Sequence, residues 1–139
     1  MKTTRTQVAI IGSGPSGLLL GQLLTNNNID NVILDRVDAD YILSRVRAGV
    51  LEFGTVGMLE QAGVSARMHE EGLVHDGFEL AFSGRSERID MKGLTGQSVM
   101  VYGQTEVTKD LIDARRRSGA DSIYNAEDVQ PHDFDGAQP

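Results

Sequence analysis

Short apolar runs separated by polar breaks organise the front of the chain. Residues 7–11 (Gln-Val-Ala-Ile-Ile) form a continuous run rich in β-branched side chains. A run without alternation reads as a strand buried on both faces, as in parallel sheets. Residues 12–17 (Gly-Ser-Gly-Pro-Ser-Gly) interrupt it. Leu18 to Leu24 is mostly apolar and predicts a buried helix, which Asn26, Asn27 and Asn28 end by turn chemistry. Residues 31–35 (Asn-Val-Ile-Leu-Asp) predict a second buried strand that closes on a carboxylate. The three elements make a βαβ unit with an expected right-handed crossover.

Further along, apolar residues at Val50, Leu51, Val56, Met58 and Leu59 predict a helix over 48–61, ended at Gly63. A short helix is expected over 64–71. Residues 73–82, 86–91 and 98–102 read as short strands set apart by Gly84, Gly93 and Gly96. Gln104 to Ser118 predicts a helix with Val107, Leu111, Ile112 and Ala114 on one face. Arg115, Arg116 and Arg117 close it, suiting the negative end of the helix dipole, and Gly119 follows as the cap. Residues 122–124 read as a third buried strand, and something further starts at Val129–Phe134. The fold class is therefore α/β: a Rossmann-like βαβ with a parallel sheet and a small antiparallel strand region.

The glycine break carries the first chemistry. Gly12, Ser13, Gly14, Pro15, Ser16 and Gly17 fit G-x-G-x-x-G between a predicted strand and a predicted helix. Asp35 ends the next strand 18 residues after the last glycine. In that context the pattern points to a bound dinucleotide rather than a merely structural glycine turn. Gly12 permits the tight turn, Gly14 leaves room for a pyrophosphate, and Gly17 lets helix and strand pack closely. Pro15 in the first helical turn loses no needed hydrogen bond. Asp35 can accept from ribose hydroxyls and disfavours a 2′-phosphate on the same ribose. The motif does not choose between FAD and NAD.

Composition narrows the field. The chain has 139 residues, 13 Lys+Arg against 20 Asp+Glu, a net charge of −7, and no cysteine. Absence of cysteine excludes a disulfide framework, a zinc–thiolate site and a cysteine nucleophile. The acidic balance argues against nucleic acid as a partner. No apolar run reaches the ~18–20 residues of a membrane span, so a cytoplasmic protein is expected. No metal site is expected. The charge is uneven: Asp121, Glu127, Asp128, Asp133 and Asp135 put five acids and no base into the last 19 residues.

Arg36, Arg45 and Arg47 cluster after the second strand, in a window that also holds Asp38 and Asp40. Arginine forks suit phosphate, while a solvated loop of ion pairs is the plainer alternative. Here the chain closely resembles the 4-hydroxybenzoate 3-monooxygenase family of class A flavoprotein aromatic hydroxylases. The resemblance is carried by residues 7–24, 30–36, 45–52 (Arg-Val-Arg-Ala-Gly-Val-Leu-Glu), 72–75 (Gly-Leu-Val-His) and 101–108 (Val-Tyr-Gly-Gln-Thr-Glu-Val-Thr). It runs from about Gln7 to the end of the chain.

The resemblance implies FAD as bound cofactor and NADPH as co-substrate. Gly12, Gly14 and Gly17 would meet the FAD pyrophosphate and Asp35 the adenosine ribose, where the family usually has the longer Glu. Arg47 would touch the pyrophosphate region and Gln104 the ribityl side. Arg36, Tyr41 and Arg45 match positions that recruit NADPH, although Val37 follows Arg36 where a polar residue is usual. His75 matches the solvent end of a proton network that helps ionise the phenol. His69 and His132 have no motif around them and read as exposed, and Met100 and Tyr102 read as core or strand residues.

By the same resemblance residues 1–139 would be the N-terminal part of a flavin-hydroxylase fold. The Gly-Asp strand and the substrate domain that complete the family's members are absent, and residues 127–139 would open an antiparallel excursion. An aromatic acid substrate and a homodimer belong to the complete enzyme. A related flavin oxidoreductase with another substrate, or a non-catalytic nucleotide-binding module, are the competing readings. The 139-residue polypeptide alone is expected to convert no 4-hydroxybenzoate to 3,4-dihydroxybenzoate with NADPH, and to lose its flavin on gel filtration. Product formation, or a yellow stoichiometric complex leaving the column, would contradict this.

Overall fold

A computed structural model describes residues 3–136. Its elements are β1 (Val8–Ile11), α1 (Pro15–Asn26), β2 (Asn31–Leu34), α2 (Ala39–Ser44), β3 (Val50–Leu51), α3 (Phe53–Gln61), α4 (Ala66–Glu71), β4 (Leu73–His75), β5 (Phe78–Phe82), β6 (Arg85–Ile89), α5 (Met91–Thr95), β7 (Val99–Val101), α6 (Gln104–Ser118) and β8 (Ser122–Ile123). The architecture is α/β, as the sequence pattern predicts. β1, β2 and β8 form a parallel sheet in that order, with Ile10 opposite Ile33 and Leu34 opposite Ile123. A second, antiparallel sheet has the order β3-β7-β4, and β5 and β6 form a separate hairpin. Ser83 and Gly84 turn that hairpin with φ of 46° and 73°, the left-handed pair that tight hairpins require.

Helix α1 packs on β1 and β2 of the parallel sheet, and α6 packs against α1. Leu18, Ile33, Leu59, Met68, Leu111 and Ile112 are fully buried between the elements. Val107, Leu111, Ile112 and Ala114 are all buried on the predicted face of α6, and Gly119 ends that helix at φ 70°. Met100 and Tyr102 lie in the same core. The asparagine turn after α1 includes Asn28 at φ 56°.

Arg115 is the unexpected member of this layer. It is not a surface cap for α6: only 2% of it is exposed. Its guanidinium donates to Ser122 Oγ at 2.8 Å, Asn31 Oδ1 at 2.8 Å, Asn31 O at 3.2 Å and the Asp121 carbonyl. Neutral acceptors thus satisfy a buried cation and tie α6 to β2 and to the start of β8. A second network holds α4 against α6. Arg67 reaches Glu71 at 3.0 Å, Glu106 at 2.7 Å and Asp110 at 2.7 Å, and Tyr102 donates to the other Asp110 oxygen at 2.7 Å.

Several expectations need correction. β1 is not buried on both faces, since Ile11 is 67% exposed and only Ile10 is buried. β8 spans only Ser122–Ile123, and Ile123 is half exposed. No described element packs over the sheet face that carries these residues, and a β-branched run records only the capacity for burial. The helix over 48–61 starts at Phe53, because Val50 and Leu51 pair with Val101 and Met100 instead. The 73–82 stretch is two strands broken at Asp76 and Gly77. α2 and α5 escaped the hydrophobic pattern, but both carry an aspartate N-cap. Asp38 accepts from the Tyr41 amide at 2.7 Å and Asp90 from the Gly93 amide at 2.9 Å. Residues 127–136 form turns and exposed coil rather than a strand, and residues 1–2 and 137–139 lie outside the described chain.

Removing the Arg115 side chain strands part-buried acceptors on Asn31, Ser122 and Asp121. Arg115→Ala is expected to destabilise the chain by about 3 kcal/mol in urea titration. Arg116→Ala, at an exposed neighbour, should change stability by less than about 0.5 kcal/mol.

Candidate functional site

All three parallel strands point their carboxyl ends to the same edge, where open α/β sheets take their ligands. At the end of β1 the chain turns at Gly12, whose φ of 106° suits only glycine. Gly14 then stands at the N-cap of α1 with no side-chain cap, and Pro15 opens the helix. The first-turn amides of a helix have no intrahelical partner, and the helix dipole is positive there. A Cβ on Gly14 would meet nothing within 4 Å, whereas one on Gly17 would strike the Gly12 carbonyl oxygen. Gly14 therefore leaves open space for a ligand, and Gly17 sets the close packing of helix on turn. This fits a pyrophosphate.

Asp35 follows β2 directly. Its Oδ2 accepts from the Ser13 amide at 2.6 Å and the Ser13 hydroxyl at 2.7 Å, and Oδ1 accepts from the Val37 amide at 3.2 Å. Burial by itself would raise its pKa. The hydrogen bonds from the Ser13 amide and hydroxyl and from the Val37 amide outweigh burial and hold the carboxyl below the ordinary aspartate value. Asp35 is thus a fixed, ionised acceptor at the mouth of the sheet.

The arginine segment comes to the same place by a separate device. The Tyr102 amide donates to the Gly49 carbonyl at 2.7 Å. A Cβ on Gly49 would lie 2.6 Å from the Gly103 Cα and 2.8 Å from the Tyr102 oxygen. This tight crossing brings the residues before β3 against the start of α6, and so sets Arg47 and Gln104 on one cleft of about 420 Å³. Gly14, Pro15, Asp35, Arg36, Tyr41 and Arg45 line it as well. Arg45 donates to the Tyr41 hydroxyl at 2.8 Å and lies over its ring, 5.6 Å from the centroid. Among the described residues no carboxylate lies within ion-pair distance of Arg36, Arg45 or Arg47. The plainer expectation of a solvated loop of ion pairs therefore does not hold.

A second cleft, about 500 Å³, lies on the other side of Asp35 and is lined by Gly12, Leu34, Arg36, Ala126, Val129 and Gln130 among others. The Ala126 amide donates to the Asp35 carbonyl at 2.9 Å and fixes its far wall.

Eight of the predicted cofactor residues thus share one cleft, and Gly12 lines the adjoining one. Ser13 is buried beneath Asp35, and Ser16 and Gly17 belong to the first turn of α1. His75 stands apart. It is exposed on β4, pairs with Val99, and lines neither cleft. His69 is exposed and contacts Glu60 at 3.0 Å, and His132 is exposed. Sequence reasoning missed Gly49, Gly103, Thr105, Thr108 and the 126–130 wall. Only the glycines left a signal, and their meaning depends on a pairing that local pattern does not reveal. Among the described residues no group of three or more His, Asp or Glu could hold a metal ion, and no helix is long and apolar enough to cross a membrane.

A parallel sheet, a glycine turn into an uncapped helix and a carboxylate on the neighbouring strand define a dinucleotide-binding α/β domain. The chain belongs to the FAD binding domain family, whose profile matches residues 5–139. It is 55% identical over 135 residues to p-hydroxybenzoate hydroxylase of Acinetobacter baylyi (strain ATCC 33305 / BD413 / ADP1), covering 96% of this chain and 33% of that protein. Among solved structures, PqsL of P. aeruginosa, crystallised with 2-aminobenzoylacetate, superposes with a TM-score of 0.81 at 16% identity, covering 93% of this chain and 36% of that one. The p-nitrophenol 4-monooxygenase PnpA of Pseudomonas putida DLL-E4 gives 0.78 at 19% identity, covering 96% and 35%. The chain spans about a third of the length of these relatives.

The depressed Asp35 pKa makes a signed prediction. A carboxyl with a lowered folded pKa stabilises the fold above its unfolded value, about 3.9, and loses that contribution as pH falls through the folded value. The stability difference between the wild-type chain and Asp35→Asn is therefore expected to be full at neutral pH and to shrink below about pH 4. Urea midpoints measured across that range check it, and a difference that does not vary with pH would contradict it.

Proposed function

We propose that this chain is the FAD-binding portion of a flavoprotein monooxygenase that hydroxylates 4-hydroxybenzoate to 3,4-dihydroxybenzoate with NADPH and O₂. The observation that carries the reading is the 55% identity to p-hydroxybenzoate hydroxylase along 96% of the chain. The cleft agrees with it in chemistry: uncapped helix amides for phosphate, guanidiniums with no carboxylate partner among the described residues, and a carboxylate for ribose.

In this reading Gly12, Gly14 and the first turn of α1 hold the FAD pyrophosphate. Asp35 accepts from the adenosine ribose, Arg47 neutralises the phosphates, and Gln104 bonds the ribityl side. Bound there, FAD supplies the hydride and oxygen chemistry, while the protein supplies position and electrostatics. Arg36, Arg45 and Tyr41 present an exposed cationic rim for NADPH. His75, exposed at the end of β4, serves as the solvent end of a proton path, a task for which an imidazole can both take up and release a proton. The aromatic acid is bound by the complete enzyme, as a homodimer.

The test is a chimera that joins residues 1–139 to the remaining two-thirds of the Acinetobacter hydroxylase. It is expected to bind FAD and to oxidise NADPH in a 4-hydroxybenzoate-dependent way. Arg47→Ala should weaken FAD binding by about tenfold, the worth of one charge-assisted hydrogen bond, in a flavin fluorescence titration. A folded chimera that binds no FAD would overturn the reading.

A further inference from the structure

Asp35 has more partners inside the protein than a ribose acceptor requires. A carboxylate offers about four acceptor sites, two on each oxygen. Ser13 takes both on Oδ2, through its amide at 2.6 Å and its hydroxyl at 2.7 Å. The Val37 amide takes one on Oδ1 at 3.2 Å. One acceptor site is left, on Oδ1. Ser13 is itself 0% exposed, and Asp35 is the acceptor of its hydroxyl. The turn does not require that hydroxyl, because Gly12 supplies the left-handed residue and the Ser13 amide already reaches the carboxylate. A buried hydroxyl with this one task is a device for aiming Asp35.

The position of Asp35 gives the aim a consequence. Asp35 and its neighbour Arg36 line both clefts and so stand between them. With one torsion beyond Cβ, its carboxylate could turn toward either side. The paired bonds from Ser13 stop that rotation and leave the one open acceptor site on Oδ1. The remaining charged groups around it are Arg36, Arg45 and Arg47 on the cleft and Asp128 on the far side, none of them in an ion pair with Asp35.

Resting on the flavin reading above, we infer that Ser13 is a positioning residue for ribose recognition. Its buried hydroxyl locks the Asp35 carboxylate, leaves a single acceptor site on Oδ1 for an adenosine ribose hydroxyl, and thereby sets how strongly the site discriminates by ribose. Ser13 touches the ligand nowhere and acts only through Asp35.

The probes are ADP and 2′,3′-dideoxy-ADP, titrated by calorimetry into the chimera proposed above and into its Ser13→Ala, Asp35→Glu and doubly substituted forms. The unsubstituted chimera is expected to prefer ADP by about tenfold, the worth of one hydrogen bond to a charged acceptor. Ser13→Ala should reduce that preference to about twofold while leaving dideoxy-ADP affinity unchanged. The unchanged dideoxy affinity reports that the fold and the phosphate site are intact. Asp35→Glu carries its carboxylate about 1.5 Å further, into space that the Ser13 hydroxyl fills, and should also lose preference. With that hydroxyl removed, the longer side chain can take its place, so the double variant should recover preference beyond either single one. Carboxyl carbon NMR should also show the Asp35 pKa rising in Ser13→Ala.

A Ser13→Ala chain that keeps the full preference overturns the inference. So does one that loses both ligands equally, or single-variant effects that simply add. A folded chimera that binds neither ADP nor FAD overturns the flavin reading itself, and the ribose role falls with it.

Discussion

Helix α1 lies nearer to the sheet than a helix with side chains on that face could. A Cβ at Gly17 would overlap the Gly12 carbonyl oxygen, and one at Gly21 would sit 2.9 Å from both Ile33 Cδ1 and Arg115 Nη1. Gly17 and Gly21 are one helical turn apart, so a single bare stripe of α1 rests on β1 and β2. Much else follows from that approach. It seats the positive end of α1 directly over the turn at the end of β1, where a pyrophosphate would bind. It also clears the path by which Arg115 crosses from α6 to Asn31 and the Asp121 carbonyl. The same absent side chains therefore serve the binding edge of the sheet and the buried cation that ties the sheet to its second helix.

The other half of the cleft depends on a second crossing of the same kind. Gly49 and Gly103 bring two backbones together at a point where neither belongs to a regular element. The arginines before Gly49 and Gln104 after Gly103 meet because of it. Asp38, by capping α2, fixes the connection from Asp35 to Arg45. Local devices, each built from a few residues, thus assemble a site whose parts come from the first, second and sixth helices.

How much of this the sequence reveals depends on how local the cause is. The βαβ unit, the phosphate turn and α6 were legible because a strand run, a glycine triplet and a helical stripe are contiguous patterns. Val50 and Leu51 were misread as helix, because their partner, β7, lies about fifty residues on. α2 and α5 were missed for another reason: they are too short to show a period, and only their aspartate caps mark them. Burial of β1 on both faces was overread, since Ile11 has the composition of a core residue and no described element against it. Among the residues that line the candidate clefts, the glycine motif, Asp35 and the arginines carry a signal in the sequence. Arg115 was assigned to a helix terminus, because a basic triplet at a C-terminal turn does not show which member faces inward.

The charge distribution completes the account of how an acidic chain can offer a site to an anion. The net charge is −7, yet many of the acids on the body of the domain are already engaged. Glu71, Glu106 and Asp110 converge on Arg67, Asp113 holds Lys109, and Asp76 holds Lys92. The five acids of the last 19 residues carry most of the excess, and interactions beyond about 8 Å are largely screened at physiological salt. What a phosphate meets at the cleft is therefore local. Three guanidiniums have no carboxylate partner among the described residues, helix amides stand uncapped, and one carboxylate has three of its acceptor sites turned into the protein. The Ser13 bonds matter doubly here, because they stabilise the ionised carboxylate beside the phosphate turn while leaving one acceptor site on Oδ1 for a hydroxyl.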